Sequence, residues 1–233
     1  MPKIDPYKLF VSYNGLYESP KDERGEYKGP LVAYAGKDPS GKNYVGFSYF
    51  NVAKIEQPSR SRAFFANLLA KKINDKIGVP NHLVAAPMGG IIFSVTTADI
   101  LNCNVSFFEK KITKLANPEN GTKEESKLVY NRHEIAPDES VIIFEDLCNN
   151  FSTTQKMVDF LRSMGVKVVA IACVLNRSPH LTWKEIPIIS AIHIPTPEYK
   201  QTDSEVIKLI ESGQIVWKPK AEWGRLKEAM KNH

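Results

Sequence analysis

Three apolar runs in the second half of the chain constrain its fold more than any other feature. Residues 141–144, 168–175 and 188–192 are almost uninterrupted stretches of Val, Ile, Leu, Ala and Phe. Between the first two runs, residues 152–164 place four large apolar side chains at helical spacing: Met157, Phe160, Leu161 and Met164. Strands that are apolar on both sides and alternate with helices are typical of a parallel sheet covered on both faces. The sequence therefore predicts an α/β fold.

The same alternation begins earlier in the chain. A helix with Ser61 as its N-cap precedes a short strand at 82–86, and a Gly89-Gly90 turn leads into a second helix. Residues 1–60 are rich in Gly, Pro and Tyr and contain only short β-prone pieces. We therefore divide the chain into an N-terminal β-rich cap (1–60), a parallel-sheet core flanked by helices (61–200) and a helical C-terminal extension packed on that core (201–233).

Composition and charge exclude several classes of protein. No apolar run approaches the roughly 18–20 residues that span a bilayer, and the first residues lack a secretory signal, so we expect no membrane partner. Three cysteines without metal-ligand spacing favour a reducing, cytoplasmic compartment and no structural zinc. The net charge of +5 is modest, and the basic residues are scattered except at 110–127. This pattern argues against nucleic acid and favours a small anionic ligand.

Two acidic residues, Glu145 and Asp146, stand where the first apolar run ends. The polar segment 149–154 follows and opens directly into a helix. In open α/β sheets ligands bind beyond the carboxyl ends of the strands, and the amides at a helix N-terminus bind phosphate. The carboxylates suit ribose hydroxyls or Mg²⁺. Together these features indicate a ribose 5-phosphate site, with a solvated strand end and a simple helix cap as the alternative.

This segment resembles the phosphoribosylpyrophosphate-binding motif of the type I phosphoribosyltransferases; within that family the chain as a whole is most similar to the orotate phosphoribosyltransferases, through the residues near 49 and 177 described below. The resemblance implies that Glu145 and Asp146 hold the ribose hydroxyls, with Mg²⁺ bound between them and the substrate. It also implies that the loop holds the 5-phosphate through Asn149, Asn150, Phe151, Ser152, Thr153 and Thr154. The loop departs from the family pattern, because Phe151 and Ser152 stand where glycines are usual.

Two further segments follow in the order that the family has. Met88, Gly89 and Gly90 resemble a pyrophosphate-binding loop, with an ordinary strand-to-helix turn as the alternative. The polar stretch 110–127 resembles a mobile surface arm that carries basic residues over the pyrophosphate. The candidate cations are Lys110, Lys111 and Lys114, and the alternative is a solvated lysine run.

The base-binding residues rest on two shorter resemblances. Asn176-Arg177-Ser178 resembles the Asp-Arg-Ser sequence in which the arginine binds orotate, although Asn176 replaces the acid. Tyr49 and Phe50 resemble aromatic residues of the family's N-terminal hood. The alternatives are a surface arginine at a strand end and ordinary core packing of the aromatic rings.

The resemblance implies transfer of a 5-phosphoribosyl group from phosphoribosylpyrophosphate to a nucleobase nitrogen, with orotate as the first candidate acceptor. Glu145, Asp146, Lys110 and Lys111 would be the catalytic residues, and the enzyme would be a cytoplasmic homodimer. Two alternatives stay open: a phosphoribosyltransferase for a purine or another base, and a non-catalytic sensor of phosphoribosylpyrophosphate. A dinucleotide or P-loop site is not indicated, because the sequence lacks the glycine patterns of both.

Overall fold

A computed structural model describes residues 4–114 and 125–231. The chain forms two compact units: a larger one of residues 56–194, and a smaller one in which residues 1–55 and 195–233 come together. No helix within the described ranges is long and apolar enough to cross a bilayer.

The elements follow one another along the chain as short strands and helices. The helices are α1 (Pro6–Ser12), α2 (Ala53–Glu56), α3 (Ser59–Lys76), α4 (Gly90–Leu101), α5 (Ser152–Ser163), α6 (Ile207–Glu211) and α7 (Trp223–Lys231). The strands are β1 (Leu16–Glu18), β2 (Leu31–Lys37), β3 (Asn43–Gly46), β4 (Ser48–Phe50), β5 (His82–Ala85), β6 (Asn104–Phe107), β7 (Glu109–Lys114), β8 (Glu125–Val129), β9 (Ser140–Cys148), β10 (Lys167–Asn176), β11 (Thr182–Trp183), β12 (Ile186–His193) and β13 (Ile215–Val216).

The larger unit is built on a six-stranded sheet in the order β11-β12-β10-β9-β5-β6. All neighbouring strands are parallel except β11, which pairs antiparallel with β12. The three apolar runs form β9, β10 and β12 at adjacent positions, with Ile171 opposite both Ile143 and Ile188. The predicted α/β fold with a mostly parallel sheet is confirmed.

Successive residues of a strand point to opposite sides, so an apolar strand makes both faces of the sheet apolar. Helices cover both of these faces. One face packs Val84, Ile143 and Ile171 against Met157 and Leu161 of α5. The other face contacts α3 and α4, whose Phe65 and Phe93 meet edge to face at 6.5 Å. A sheet buried on both sides explains why its strands read as continuous apolar runs.

The first helix of the larger unit begins earlier than the sequence predicts. Pro58 is the N-cap of α3 and offers no side-chain cap, while the Arg62 amide already donates to the Pro58 carbonyl at 3.1 Å. Ser61 lies inside the helix, and its hydroxyl donates to the same carbonyl at 3.1 Å. The predicted N-cap at Ser61 is therefore wrong.

The two strands that follow β6 form a β-hairpin, which is the base of the predicted arm. Strands β7 and β8 pair antiparallel, with Lys110 opposite Leu128 and Lys111 opposite Lys127. The sequence predicts a long loop or an arm here, because most residues of the segment are polar. Strand β7 is exposed along almost its whole length, whereas Leu128 of β8 packs against the apolar cluster of the larger unit. Residues 115–124 lie outside the described ranges.

The smaller unit joins residues from both ends of the chain. Strand β13 pairs parallel with β2, placing Val216 beside Val32, and β3 completes a three-stranded sheet. Val32 and Val216 also share an apolar cluster with Trp223 and Leu226 of α7. The division into cap, core and extension stays a prediction; strand pairing associates the C-terminal residues with the N-terminal ones.

Candidate active site

The carboxyl ends of β5, β9 and β10 lie side by side and bring three of the predicted segments to one edge of the larger unit's sheet. Glu145 on β9 is opposite Cys173 on β10, and the Ala86 amide after β5 donates to the Phe144 carbonyl at 2.9 Å. The Arg177 amide after β10 donates to the Cys148 carbonyl at 2.9 Å. The acidic pair, the glycine turn and the Arg177 segment therefore share one edge.

Glu145 and Asp146 are half-buried at this edge and are held differently. An Asp146 carboxylate oxygen accepts from the Leu147 amide at 2.9 Å, and Glu145 accepts from the Thr154 hydroxyl at 3.4 Å. Burial, followed by the negative charge of Asp146, raises the pKa of Glu145 to about 8, with the Thr154 hydrogen bond acting the other way. Near pH 7 the Glu145 carboxyl is therefore mostly neutral.

Gly89 and Gly90 pack directly against the acidic strand. A Cβ atom on Gly89 would lie 2.2 Å from an Asp146 carboxylate oxygen, and one on Gly90 would lie 2.4 Å from the Phe144 carbonyl oxygen. The glycines are therefore required for the approach of this turn to β9. Met88, immediately before them, is 80% exposed at the same edge.

The segment 149–154 keeps the course of a glycine loop although Phe151 occupies the glycine position. Phe151 has φ 56° and ψ 19°, in the left-handed region, and α5 begins at the next residue. A Ser152 amide donates to the Asn150 side-chain oxygen at 3.1 Å, while Thr154 is buried beside Glu145. The loop thus presents a helix N-terminus next to the acidic pair.

Burial of Phe151 offsets the strain of this conformation. Its ring is 6% exposed, packs into the apolar cluster beneath α5 and stacks on Trp183 with centroids 5.6 Å apart. The left-handed region costs a residue with a Cβ roughly 1–2 kcal/mol. Burying a phenylalanine side chain contributes roughly 1.5–3 kcal/mol, and an aromatic pair adds roughly 0.5–1.5 kcal/mol.

The Arg177 segment is a buried turn. Arg177 is 4% exposed, so the alternative of a surface arginine is wrong. The Asn176 side chain makes three hydrogen bonds within the turn: its amide nitrogen donates to the His180 carbonyl at 2.7 Å, and its oxygen accepts from the Ser178 amide at 3.0 Å and hydroxyl at 2.7 Å. Asn176 therefore shapes the turn that carries Arg177.

The remaining predicted residues belong to the arm and to the smaller unit. Lys110, Lys111 and Lys114 are exposed along β7 of the arm. Tyr49 and Phe50 belong to the smaller unit, where Tyr49 lies 6.0 Å from the Trp223 ring and Phe50 lies 5.9 Å from the Phe10 ring. These contacts agree with the core-packing alternative, and a role of either ring in base binding stays a prediction.

Trp183 is a residue at this edge that the sequence does not indicate. It belongs to β11, far along the chain from the loop it contacts, and no local pattern connects the two.

The described residues contain no cluster of three His, Cys, Asp or Glu side chains that could hold a metal. A divalent cation at the acidic pair would therefore take further oxygen ligands from water or a substrate.

Comparison with known proteins places this geometry in a family. The model of the phosphoribosyl transferase domain matches residues 54–194. Orotate phosphoribosyltransferase of Carboxydothermus hydrogenoformans is 27% identical over 177 residues, which are 75% of this chain and 76% of that protein. Other orotate phosphoribosyltransferases are matched over 58–62% of their own length.

Solved structures share the fold at lower identity. Orotate phosphoribosyltransferase from Aeropyrum pernix aligns with a TM-score of 0.56 and 13% identity, covering 88% of this chain and 97% of that one. Adenine phosphoribosyltransferase from Trypanosoma brucei aligns with a TM-score of 0.55 and 12% identity, covering 83% and 81%. The family match extends over the whole of the larger unit, including the acidic pair, the glycine turn and the loop before α5. The chain belongs to the phosphoribosyl transferase domain family.

Proposed function

We propose that this protein transfers a 5-phosphoribosyl group from phosphoribosylpyrophosphate to orotate, with release of pyrophosphate. The observation that carries the proposal is the half-buried pair Glu145 and Asp146 at the end of β9, beside the N-terminus of α5, in a member of this family. The orotate phosphoribosyltransferases among its relatives support orotate as the acceptor.

The loop and the first turn of α5 would receive the 5-phosphate. Backbone amides at a helix N-terminus favour an anion, and Ser152 and Thr153 add hydroxyl donors, whereas the buried Thr154 hydroxyl donates to Glu145. The Ser152 amide already donates to a neutral oxygen of Asn150 at 3.1 Å. A phosphate oxygen would replace that acceptor when the Asn150 side chain turns away.

The acidic pair would hold the ribose hydroxyls and orient a magnesium ion. Among the described residues no third His, Cys, Asp or Glu joins Glu145 and Asp146 in a metal-holding cluster. Such a pair fits a cation that is bound mainly by substrate oxygens, as Mg²⁺ often is. When bound, Mg²⁺ would neutralise charge on the departing pyrophosphate. Asp146, fixed by the Leu147 amide, would set the position of the ribose relative to the loop.

The arm would supply positive charge to the pyrophosphate, while the Met88, Gly89 and Gly90 turn would offer it backbone amides. Lys111 lies directly opposite Lys127 on the hairpin, an arrangement that is destabilising without an anion. An anion bound over the arm would relieve this repulsion, which supports Lys110, Lys111 and Lys114 as candidate pyrophosphate ligands. Closure of the arm would also exclude water, which competes with the base as acceptor.

Arg177 would bind the acceptor base. A guanidinium can bind the carboxylate or imide edge of orotate through two parallel hydrogen bonds. Tyr49 and Phe50 would cover the base in the hood that residues 1–60 are proposed to form. Family resemblance further supports a homodimer and a cytoplasmic location, and sedimentation of the purified protein tests the dimer.

A purine acceptor is the second candidate. Asn176 replaces the acid of the orotate-type sequence, and its side chain is used within its own turn. An adenine phosphoribosyltransferase also shares the fold. The sensor alternative draws its support from Phe151, but the loop keeps the left-handed conformation that a glycine would adopt.

The deciding experiment supplies phosphoribosylpyrophosphate, Mg²⁺ and either orotate or adenine, and follows the loss of base absorbance together with pyrophosphate release. We expect turnover with orotate, and Asp146→Asn should reduce it by roughly 100-fold or more while changing stability little. Turnover with adenine alone would select the purine candidate. Binding of phosphoribosylpyrophosphate without turnover of any base would favour the sensor.

A further inference from the structure

An aromatic contact holds the loop before α5, and its second ring belongs to Trp183, a residue outside the loop. Phe151 adopts φ 56°, yet its ring points into the protein and stacks on Trp183 at an interplanar angle of 24°. The backbone on the open side of the loop, including the Ser152 amide, stays available to an acceptor oxygen, as the Asn150 contact shows. Side chain and backbone of the loop therefore face different partners.

Trp183 is carried by a short hairpin that is anchored in the central sheet. It pairs with Ile186 across a turn in which Lys184 and Glu185 both have positive φ, 46° and 68°. The partner strand β12 runs beside β10, with Ile188 opposite Ile171 in the apolar core. The Trp183 ring thus has a rigid support that belongs to neither the loop nor α5.

A second contact connects the same hairpin to the first turn of α5. The Lys184 ammonium donates to the Gln155 side-chain oxygen and lies 5.0 Å from the centroid of the Trp183 ring. The backbone amide of Gln155 donates to the Phe151 carbonyl at 2.8 Å. The hairpin therefore contacts both the residue that precedes the helix and the helix itself.

We propose that Trp183 is a positioning residue for the 5-phosphate: it acts through Phe151 to hold the loop in its phosphate-receiving conformation before substrate arrives. This inference rests on the proposed function and adds a residue that the family resemblance does not indicate. In a glycine loop the conformation is permitted by the absence of a Cβ, whereas here a contact from β11 maintains it. A preorganised loop binds more tightly because less order is lost on binding.

The first test compares Trp183→Ala with Trp183→Phe and with Trp217→Ala, a tryptophan of the smaller unit that is 49% exposed. Calorimetry measures the Kd for ribose 5-phosphate without a base, and steady-state kinetics measures KM for phosphoribosylpyrophosphate and kcat separately. We expect Trp183→Ala to raise both the Kd and the KM about tenfold while kcat changes less than about threefold. Trp183→Phe should restore most of the affinity, and Trp217→Ala should match the parent protein.

A double-mutant cycle tests whether Trp183 acts through Phe151. Once Phe151→Gly has removed the stacking ring, adding Trp183→Ala should change the Kd for ribose 5-phosphate less than about twofold. Hydrogen exchange without ligand should be faster at the Ser152 and Thr153 amides in Trp183→Ala and unchanged in Trp217→Ala. A merely structural role would lower stability without this local change in exchange.

Two results separate failure of the inference from failure of the proposed function. If the parent protein binds ribose 5-phosphate, and both Trp183→Ala and Trp183→Phe bind it with the Kd of the parent, the inference is overturned and the function stands. Fully additive effects in the cycle overturn it as well. If the parent protein binds neither ribose 5-phosphate nor phosphoribosylpyrophosphate, the proposed function fails and the inference fails with it.

Discussion

Glu145 carries a proton in the folded protein over a pH range in which the unfolded chain has lost it. Its pKa rises from an ordinary value of 4.5 to about 8, chiefly through burial and then through Asp146. Between these values the folded state binds one more proton than the unfolded state, so the contribution of Glu145 to stability falls as pH rises. Below about pH 4.5 both states are protonated, and above about pH 8 both are ionised.

We expect Glu145→Gln to remove this pH dependence. Relative to the parent protein, the variant should gain unfolding free energy from pH 5 to pH 8, by at most about 1.4 kcal/mol per pH unit. Urea unfolding at several pH values measures the difference. Glu228→Gln, exposed on α7, is the control and should run parallel to the parent. A constant offset for Glu145→Gln across this range would contradict the raised pKa.

Asn176 shows why a departure from a family pattern need not be a loss. Its side chain donates to the His180 carbonyl and accepts twice from Ser178, and no aspartate can make the first of these bonds. We expect Asn176→Asp to lower the free energy of unfolding by at least roughly 1–3 kcal/mol, because a buried carboxylate would face a carbonyl oxygen. Urea unfolding measures this change, with the exposed Asn102→Asp as control; equal effects would refute the role of the amide.

At the scale of elements, the turn into α4 depends on close contact with β9. A Cβ on Gly90 would lie 2.4 Å from the Phe144 carbonyl oxygen, an atom of a central strand that cannot move aside easily. Gly90→Ala should therefore destabilise the protein by roughly 1–3 kcal/mol. Gly224 on α7 meets nothing within 4 Å, and Gly224→Ala should range from neutral to about 1 kcal/mol more stable. Chemical denaturation of both variants checks the contrast, and similar losses would contradict it.

Elements were predictable from sequence where burial leaves a pattern. Strands β9, β10 and β12 are apolar on both faces, so their sequences predict a parallel sheet. Strand β7 is mostly polar and exposed along almost its whole length, and α1 spans only Pro6–Ser12, so neither leaves a periodic signal. The acidic pair and the loop could be proposed as one site from the sequence, because they adjoin one another along the chain. The Trp183 contact could not be predicted, since it depends on which hairpin the sheet places beside α5.

At the scale of the whole molecule, each of the two units contains an apolar cluster of its own. Leu226 of α7 is fully buried in the smaller unit with Val32 and Val216. We expect Leu226→Ala to cost roughly 2–5 kcal/mol within that unit. Native-state hydrogen exchange should then show loss of protection at the Val32 amide and little change at Ile143 of the larger unit. Lys227→Ala on the exposed side of α7 is the control, and equal losses at Val32 and Ile143 would show that the units open together.

The pairing of β13 with β2 has a consequence for synthesis on the ribosome. The larger unit is encoded between two segments of the smaller one, so β2 emerges about 180 residues before the strand that pairs with it. At roughly 5–20 residues per second, this interval is on the order of ten seconds or more. During that time the nascent chain exposes an unpaired strand edge and the apolar side chains that Trp223 and Leu226 later cover. The smaller unit therefore reaches its final form only after the larger unit has been synthesised.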